Sequence, residues 1–437
     1  VVKIAALREG LDADRVGRQA YDLVAELYPL CRSITGDGVR ETLRRLKPHI
    51  DVTLHEVPSG TRVFDWTVPP EWNIRDAYVK NAAGDRVIDF HESNLHVVGY
   101  SVPVRKRISL AELKEHVFTL PEHPDWIPHL TSYYREAWGF CVSHRRLLAL
   151  EDGEYDVCID SSLAPGHLTY GEYYLKGASA DEVLVSCHVC HPSLCNDNLS
   201  GVAVATFLAT HLGSVSLRYS YRFLFAPAMI GSLTWLWRNE PQVARLKHGL
   251  VLASIGDPGG YTYKKSRRGS AEIDRAVALV LRDRGVPHRI EEFAPNGYDE
   301  RQFCSPGFNL PVGCLMRTAP GRYPEYHTSA DNLDLIRPET LADSLQTCLA
   351  VVDVLEGDRR YLSQNPKGEP QLSTRGLYRH VGGRARVDLD ELARLWVLNL
   401  SDGGHSLLEI AERSGRPFDA VRAAAETFLA AGLLKEA

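Results

Sequence analysis

Four short apolar runs, each tied to a segment of helical periodicity, restrict the fold of this chain more than any other feature. VLVSCH (183–188), YRFLFA (221–226), LVLASIG (250–256) and LPVGCLM (310–316) are continuous in hydrophobicity, as strands covered on both faces are. GVAVATFLATHL, SLTWLWRNE, AEIDRAVALVLRDRG and ETLADSLQTCLAVVDVLEG intervene with helical spacing. The alternation predicts a mostly parallel, mixed sheet flanked by helices. Ligands of such sheets bind beyond the carboxyl ends of the strands. His188 ends one run and Asp257 follows another, so both stand where chemistry is expected.

Residues 49–130 break this rhythm. VTLHEVPSGTRVFDWTVPPEWNIRDAYVKNAAGDRVIDF has dense Pro/Gly turns, β-branched and aromatic residues and almost no helical period, which predicts a small β-rich domain. Helical segments at 11–30 and 38–47 precede it and the α/β pattern follows, so 1–48 plus 131–360 are expected to form one α/β domain with 49–130 inserted. Beyond a turn-rich connector, YLSQNPKGEPQLSTRGLYRH (361–380), the stretch SLLEIAERSGRPFDAVRAAAETFLAAG has helix-turn-helix spacing. A winged helix is expected over 361–437. Its second helix sets one Arg against an Asp and a Glu, too little positive charge to read a DNA groove. Packing or a homo-oligomer contact suits it better.

At 437 residues the chain exceeds one ordinary core. A net charge of −6 excludes a general nucleic-acid or membrane-surface binder. No apolar run reaches the eighteen or so residues of a membrane span. The helical, charge-interrupted start lacks a signal-peptide core, and nine scattered cysteines, an odd number, indicate reduced thiols; both lead to a cytoplasmic expectation. Cys187 to His191 spells C-x-x-C-H, which tethers haem in exported proteins, and export is not expected here. Cys187, Cys190 and Cys195 form a rival thiolate set, yet Cys187 points away from its strand neighbour His188.

Imidazoles and carboxylates from separate segments are what a divalent zinc ion takes as ligands. His188 and His191 stand at and just beyond a strand end, Asp197 lies in NDNLSG before a helix, Asp257 in SIGDPGG, and His327 in PEYHTSADN. An Asp between a strand end and a helix start can offer both oxygens, as a ligand bridging two metals must. Singly, each has a structural alternative: a core or surface His, or an Asp that caps a helix.

HVCHPSLCNDNLSG, SIGDPGG, YDERQF and YPEYHTSADNLDLI together resemble a group of bacterial aminopeptidase-like proteins. LYPLCRSITGDGVRETL, VPSGTRVFDWTVPPEWNIRDAYV and GHLTYGEYYLKG extend the resemblance over nearly the whole chain. It implies a zinc-exopeptidase domain with an inserted β-rich domain and a C-terminal winged helix, often accompanying polysaccharide or natural-product biosynthesis. It also implies one metal held by His188, Asp197 and Asp257 and a second held by Asp197 and His327. His191 has no counterpart and is either an added ligand or a partner that orients His188. The relatives carry a Glu–Glu pair where this chain has Ala226, Pro227 and Ala228, which leaves the second metal weak or absent unless another acid substitutes. Glu300 is the expected substitute as general base, Asp299 matches an outer aspartate, and Glu325 is a second candidate. Either acid is alternatively a solvated charge or an ion partner of Arg301 or Arg317. Tyr326 or Arg322 is expected at the oxyanion and Arg317 at a substrate carboxylate.

The expected function is hydrolysis of an amide by metal-activated water, with one or two Zn2+ ions, on a peptide or a small biosynthetic intermediate carrying an aminoacyl or acyl group. The alternatives are a catalytically altered metal-binding scaffold with protein partners, and a regulator that uses its winged helix.

Overall fold

The computed structural model describes residues 4–377 and 389–437. The last residues of the expected connector, 378–380, lie outside the described residues, as do 1–3 and 381–388. Its centre is a sheet built from β1 (Thr53–Pro58), β2 (His167–Leu175), β3 (Glu182–His188), β4 (Ser220–Ala226), β5 (Leu246–Leu252), β6 (Tyr261–Lys264), β7 (His288–Glu291) and β8 (Val312–Met316). These eight strands lie in the order β1-β2-β4-β3-β5-β8-β6-β7. The run β4-β3-β5-β8 is parallel. Antiparallel pairs, β1–β2, β2–β4 and β8–β6, extend it toward both edges. The four apolar runs are thus the four central strands, and their continuous hydrophobicity follows from burial on two sides.

Alternation along β3 sorts its side chains between two cores. Val183, Val185 and Cys187 join one and Leu184 the other, so His188 projects on the Leu184 side. The first core is roofed by α1 (Ala13–Leu27), α2 (Gly201–Leu212), α4 (Glu272–Asp283) and α5 (Pro338–Gly357). The second is covered by α3 (Ile230–Asn239) and by the β-rich module. Buried side chains on nearly every turn of α2 match its lack of a polar stripe. Gly201 permits its close start: a Cβ there would lie 2.5 Å from the Leu252 carbonyl oxygen at the end of β5.

Strand pairing corrects the expected limits of the inserted domain. Thr53–Pro58, placed in the 49–130 module by its composition, is β1 of the central sheet. Glu154–Ala164, placed outside the module, pairs with both Glu71–Lys80 and Val104–Ser109. With Arg86–Asp89 these form a four-stranded sheet. Alternating hydrophobicity marks a strand but does not say which sheet receives it; long-range register decides that.

The tail is a winged helix. Arg360–Ser363, which overlaps the start of the expected connector, is a strand that pairs antiparallel with Asp402–Ser406 and Leu434–Glu436. Around it lie α6 (Leu389–Leu400), α7 (Leu407–Ser414) and α8 (Phe418–Ala430). Ser406 and Glu409 close a capping box at the start of α7, as S-x-x-E spacing allows. Apolar residues of the tail are continuous with the first core. Polar contacts reinforce the docking: Arg275 of α4 reaches Glu409 and Glu412, Phe418 N donates to Asp283 at 3.0 Å, and Arg422 pairs with Asp353 at 2.7 Å. Among the described residues no helix is long and apolar enough to cross a membrane.

Candidate metal centre and its cavity

The central strands deliver ligands where the sheet rule places them. His188 is the last residue of β3, 1% exposed, and its Nε2 lies 2.8 Å from Asp197 Oδ1. Asp197, at 0% exposure, sits in the wound segment Cys195–Ser200 that leads into α2. Its other oxygen, Oδ2, lies 2.9 Å from His327 Nε2 and 3.7 Å from His191 Nδ1. Ligand atoms of His188, His191 and Asp197 all fall within 4.8 Å of one another. Asn198 Nδ2 lies 3.3 Å from His188 Nδ1 and donates to the Leu252 carbonyl at 2.9 Å, holding the ring with Nε2 turned to Asp197.

These side chains fit a divalent cation. His191 Nδ1 is buried with no hydrogen-bond partner, an atom whose lone pair or proton is otherwise unused. Imidazole with carboxylate is the zinc-type donor set. Burial opposes the charge on Asp197, but His191 and His188 outweigh it and hold the carboxyl well below its ordinary range. Burial pushes His191 well below the ordinary imidazole value.

The second layer was only partly legible. Asp331, in the same YHTSADN motif as His327, is fully buried and receives Asn196 N on Oδ1 at 2.6 Å and Asp197 N on Oδ2 at 2.9 Å. It ties the segment of His327 to that of Asp197. Burial drives its carboxyl up to about 7, against those two N–H bonds. Arg32 holds the other side: Nε donates to the His191 carbonyl at 2.9 Å and Nη1 to the Leu27 carbonyl at 2.6 Å. Tyr298 stacks on His188 with centroids 5.1 Å apart, and Tyr326 stacks on His327 at 4.0 Å. His129, missed by the sequence reading, donates its backbone N–H to the His327 carbonyl at 2.8 Å and packs edge-on against the rings of His191 and His327. Burial, with His327 adding to it, lowers His129 to about 3. Only the unremarkable string IPHLT precedes this contact, so no local signal announced it.

A cavity of about 310 Å3 opens beside the centre. His188, His191, His327, Tyr326, Asp299 and Arg301 are among its walls. Asp299 Oδ1 accepts Met229 N and Ser232 Oγ, each at 3.0 Å, and burial raises its carboxyl above the ordinary value.

Four expected site residues stand elsewhere. Asp257 does not join the cluster. Its Oδ1 accepts Gly259 N and Thr318 Oγ1, and its Oδ2 accepts Thr318 N and Asn196 Nδ2. β5 ends at Leu252, and the position beside Asn198 is filled by Ser254, whose N–H donates to Asn198 Oδ1 at 3.3 Å and whose Oγ meets Tyr298 and Tyr323 hydroxyls. The apolar run through Ile255 had made the strand look longer. Glu300 is 0% exposed and ion-paired with Lys264, neither with Arg301 nor with the cavity. Burial raises it, with Lys264 opposing. Arg317 donates from Nε to the Gly259 carbonyl and from Nη1 to the Tyr261 hydroxyl and Asp343, so both of these nitrogens are taken up by the protein. Arg322 likewise pairs with Glu291. The thiols form no alternative centre: Cys187 and Cys190 lie in different cores on opposite faces of the sheet, so neither a shared haem nor a shared metal suits them. Burial pushes Cys190 up to about 12 and Cys187 well above its ordinary value.

Comparison with known proteins agrees with this architecture. Residues 21–358 match a family described as "Domain of unknown function (DUF4910)", and 359–436 match a "winged helix-turn-helix" family. A Clostridium acetobutylicum protein, provisionally named for polysaccharide biosynthesis with an aminopeptidase-like domain, is 52% identical over 97% of this chain and 98% of its own. A crystal structure from the same organism, provisionally described as a peptidase, superposes with a TM-score of 0.93 at 51% identity, covering 98% of each chain. A zinc aminopeptidase from Bacillus subtilis shares the fold at 14% identity, with a TM-score of 0.56 over 77% of this chain and 94% of that one.

Proposed function

The chain belongs to the family described as "Domain of unknown function (DUF4910)", and from that membership and the centre above we propose that it is a metal-dependent hydrolase of amide bonds. The observation that carries this is the convergence of His188 and His327 on the two oxygens of a fully buried Asp197, with the unpartnered His191 Nδ1 alongside. His188, His191 and Asp197 would hold one zinc-type cation, and His327 would secure the second oxygen of Asp197. Such an ion supplies Lewis acidity and a water of lowered pKa. The zinc named for the Bacillus aminopeptidase supports that choice. A second ion has weaker support, because Ala226, Pro227 and Ala228 offer no carboxylate and Asp257 is committed to Thr318.

The protein's own groups divide the remaining work. Asp299, the acidic side chain on the cavity wall, replaces Glu300 as the acceptor of a proton from attacking water and as its donor to the departing nitrogen. Its Oδ1 is held by Met229 N–H and the Ser232 hydroxyl, which leaves Oδ2 for exchange. Tyr326, flat against His327 at the cavity wall, is placed to donate to the developing oxyanion. The polysaccharide-biosynthesis name of the Clostridium relative supports a small biosynthetic intermediate as substrate. The winged helix is assigned to packing, since Arg422 of α8 is spent on Asp353. Free thiols throughout fit a cytoplasmic setting.

A metal-holding scaffold is the second reading, favoured by the lack of a Glu pair and by Glu300 being locked on Lys264. Metal analysis with turnover of a panel of acyl and aminoacyl anilides separates the two. The hydrolase requires bound zinc and chelator-sensitive turnover, with metal lost in His188→Ala, and metal kept but turnover down at least a hundredfold in Asp299→Asn. Full zinc without turnover across the panel favours the scaffold, and absence of zinc refutes both.

A further inference from the structure

Arg301 presents to the cavity a positive charge that no acidic side chain among the described residues takes up. It shares the wall with His188, His191 and His327, and its Nε is buried without a hydrogen-bond partner. Among the described residues it forms no ion pair. The adjacent Glu300 belongs to Lys264. Asp299 feels the charge of Arg301 but gives its Oδ1 to Met229 and Ser232. The remaining neighbour is Met229, whose Sδ rests against Nη2, and a thioether is a weak acceptor. A guanidinium is a fork of donors matched to a carboxylate, and this half-buried one has no counter-ion among the described residues. Protein carboxylates therefore do not complete this site.

We infer that Arg301 binds a carboxylate of the substrate, so that the amide cleaved belongs to an acylated amino acid or another acyl-amino compound with an acidic group close to the scissile bond. The position of that bond rests on the hydrolase reading above; the anion site itself does not. A free amine is the poorer match, because among the described residues Asp299 is the one acidic group on the wall, and it is already half engaged.

Calorimetric titration with N-acetylglycine and with neutral N-acetylglycinamide tests this, using zinc-loaded and metal-stripped protein as wild type, Arg301→Gln and Arg301→Lys. The wild type is expected to prefer the carboxylate by about tenfold or more in both metal states. Arg301→Gln should abolish the preference and Arg301→Lys should retain part of it. Equal or undetectable binding of the two compounds by wild type overturns the inference, as does a preference that survives Arg301→Gln. Zinc content is read in parallel. Bound zinc with no carboxylate preference removes the Arg301 assignment and leaves the hydrolase reading intact, whereas an Arg301-dependent preference without zinc binding does the reverse.

Discussion

Replacing Asp331 with Asn changes one atom and isolates the clamp between the two ligand-bearing segments. Both oxygens of Asp331 receive backbone N–H groups, from Asn196 at 2.6 Å and Asp197 at 2.9 Å. An amide keeps one acceptor and turns an N–H2 donor toward the other N–H. One buried donor then loses its partner and faces a like dipole at full burial. An unsatisfied buried group costs about 1–3 kcal/mol, so a penalty of about 2 kcal/mol is expected. Equilibrium urea unfolding should show it as a lower midpoint with unchanged slope. The same loosening acts on Asp197, the shared ligand. If about 2 kcal/mol appears at the metal, its dissociation constant rises about thirtyfold, measurable by competition with a chromogenic chelator. An Asp331→Asn protein with a wild-type unfolding midpoint and zinc affinity within about twofold would refute the argument that this carboxylate positions Asp197.

Two further outcomes follow from buried basic side chains. Arg32→Met removes donors to the His191 and Leu27 carbonyls, a loss of about 1–3 kcal/mol, but relieves a buried charge that burial already pushes down to about 10. Net stability should therefore move by no more than about 2 kcal/mol, while zinc affinity falls several-fold because the His191 loop is freed; unchanged affinity counts against a positioning role. His248, remote from the centre, is lowered by burial from 6.5 to about 4. Folding thus favours its neutral form, and the stability it contributes is present above pH 6.5 and lost as pH falls through about 4. The loss runs at about 1.4 kcal/mol per pH unit to a total of about 3 kcal/mol. Urea unfolding between pH 7 and 4 should show that slope in wild type and a shallower one in His248→Phe.

Particular residues show how far the sequence could be read. The four central strands and their helices were legible because continuous apolar runs and 3.6-residue periodicity are local signals. His188, Asp197 and His327 were legible because they stand at strand ends or helix starts in short polar motifs. Asp257 misled because the apolar run 250–256 outlasts strand β5, which ends at Leu252. Glu300 misled because a carboxylate in a polar motif looks available until Lys264, thirty-six residues earlier in the chain, is found against it. Arg317 was misassigned in the same way, since Tyr261 and Asp343 take its donors. His129 and Arg32 carried no local mark at all.

What the sequence determined unaided was the parallel sheet, the helices over it, the winged-helix tail and the presence of imidazole and carboxylate at strand ends, all consequences of periodicity and side-chain chemistry within a few residues. Only the tertiary structure decided which sheet received β1, which histidines share Asp197, and which charged groups face the cavity. Those depend on register and on pairing between residues distant in the chain. A charged side chain is free for chemistry only if no partner elsewhere in the fold has already claimed it, as Glu300 and Arg301, adjacent in sequence and opposite in availability, demonstrate.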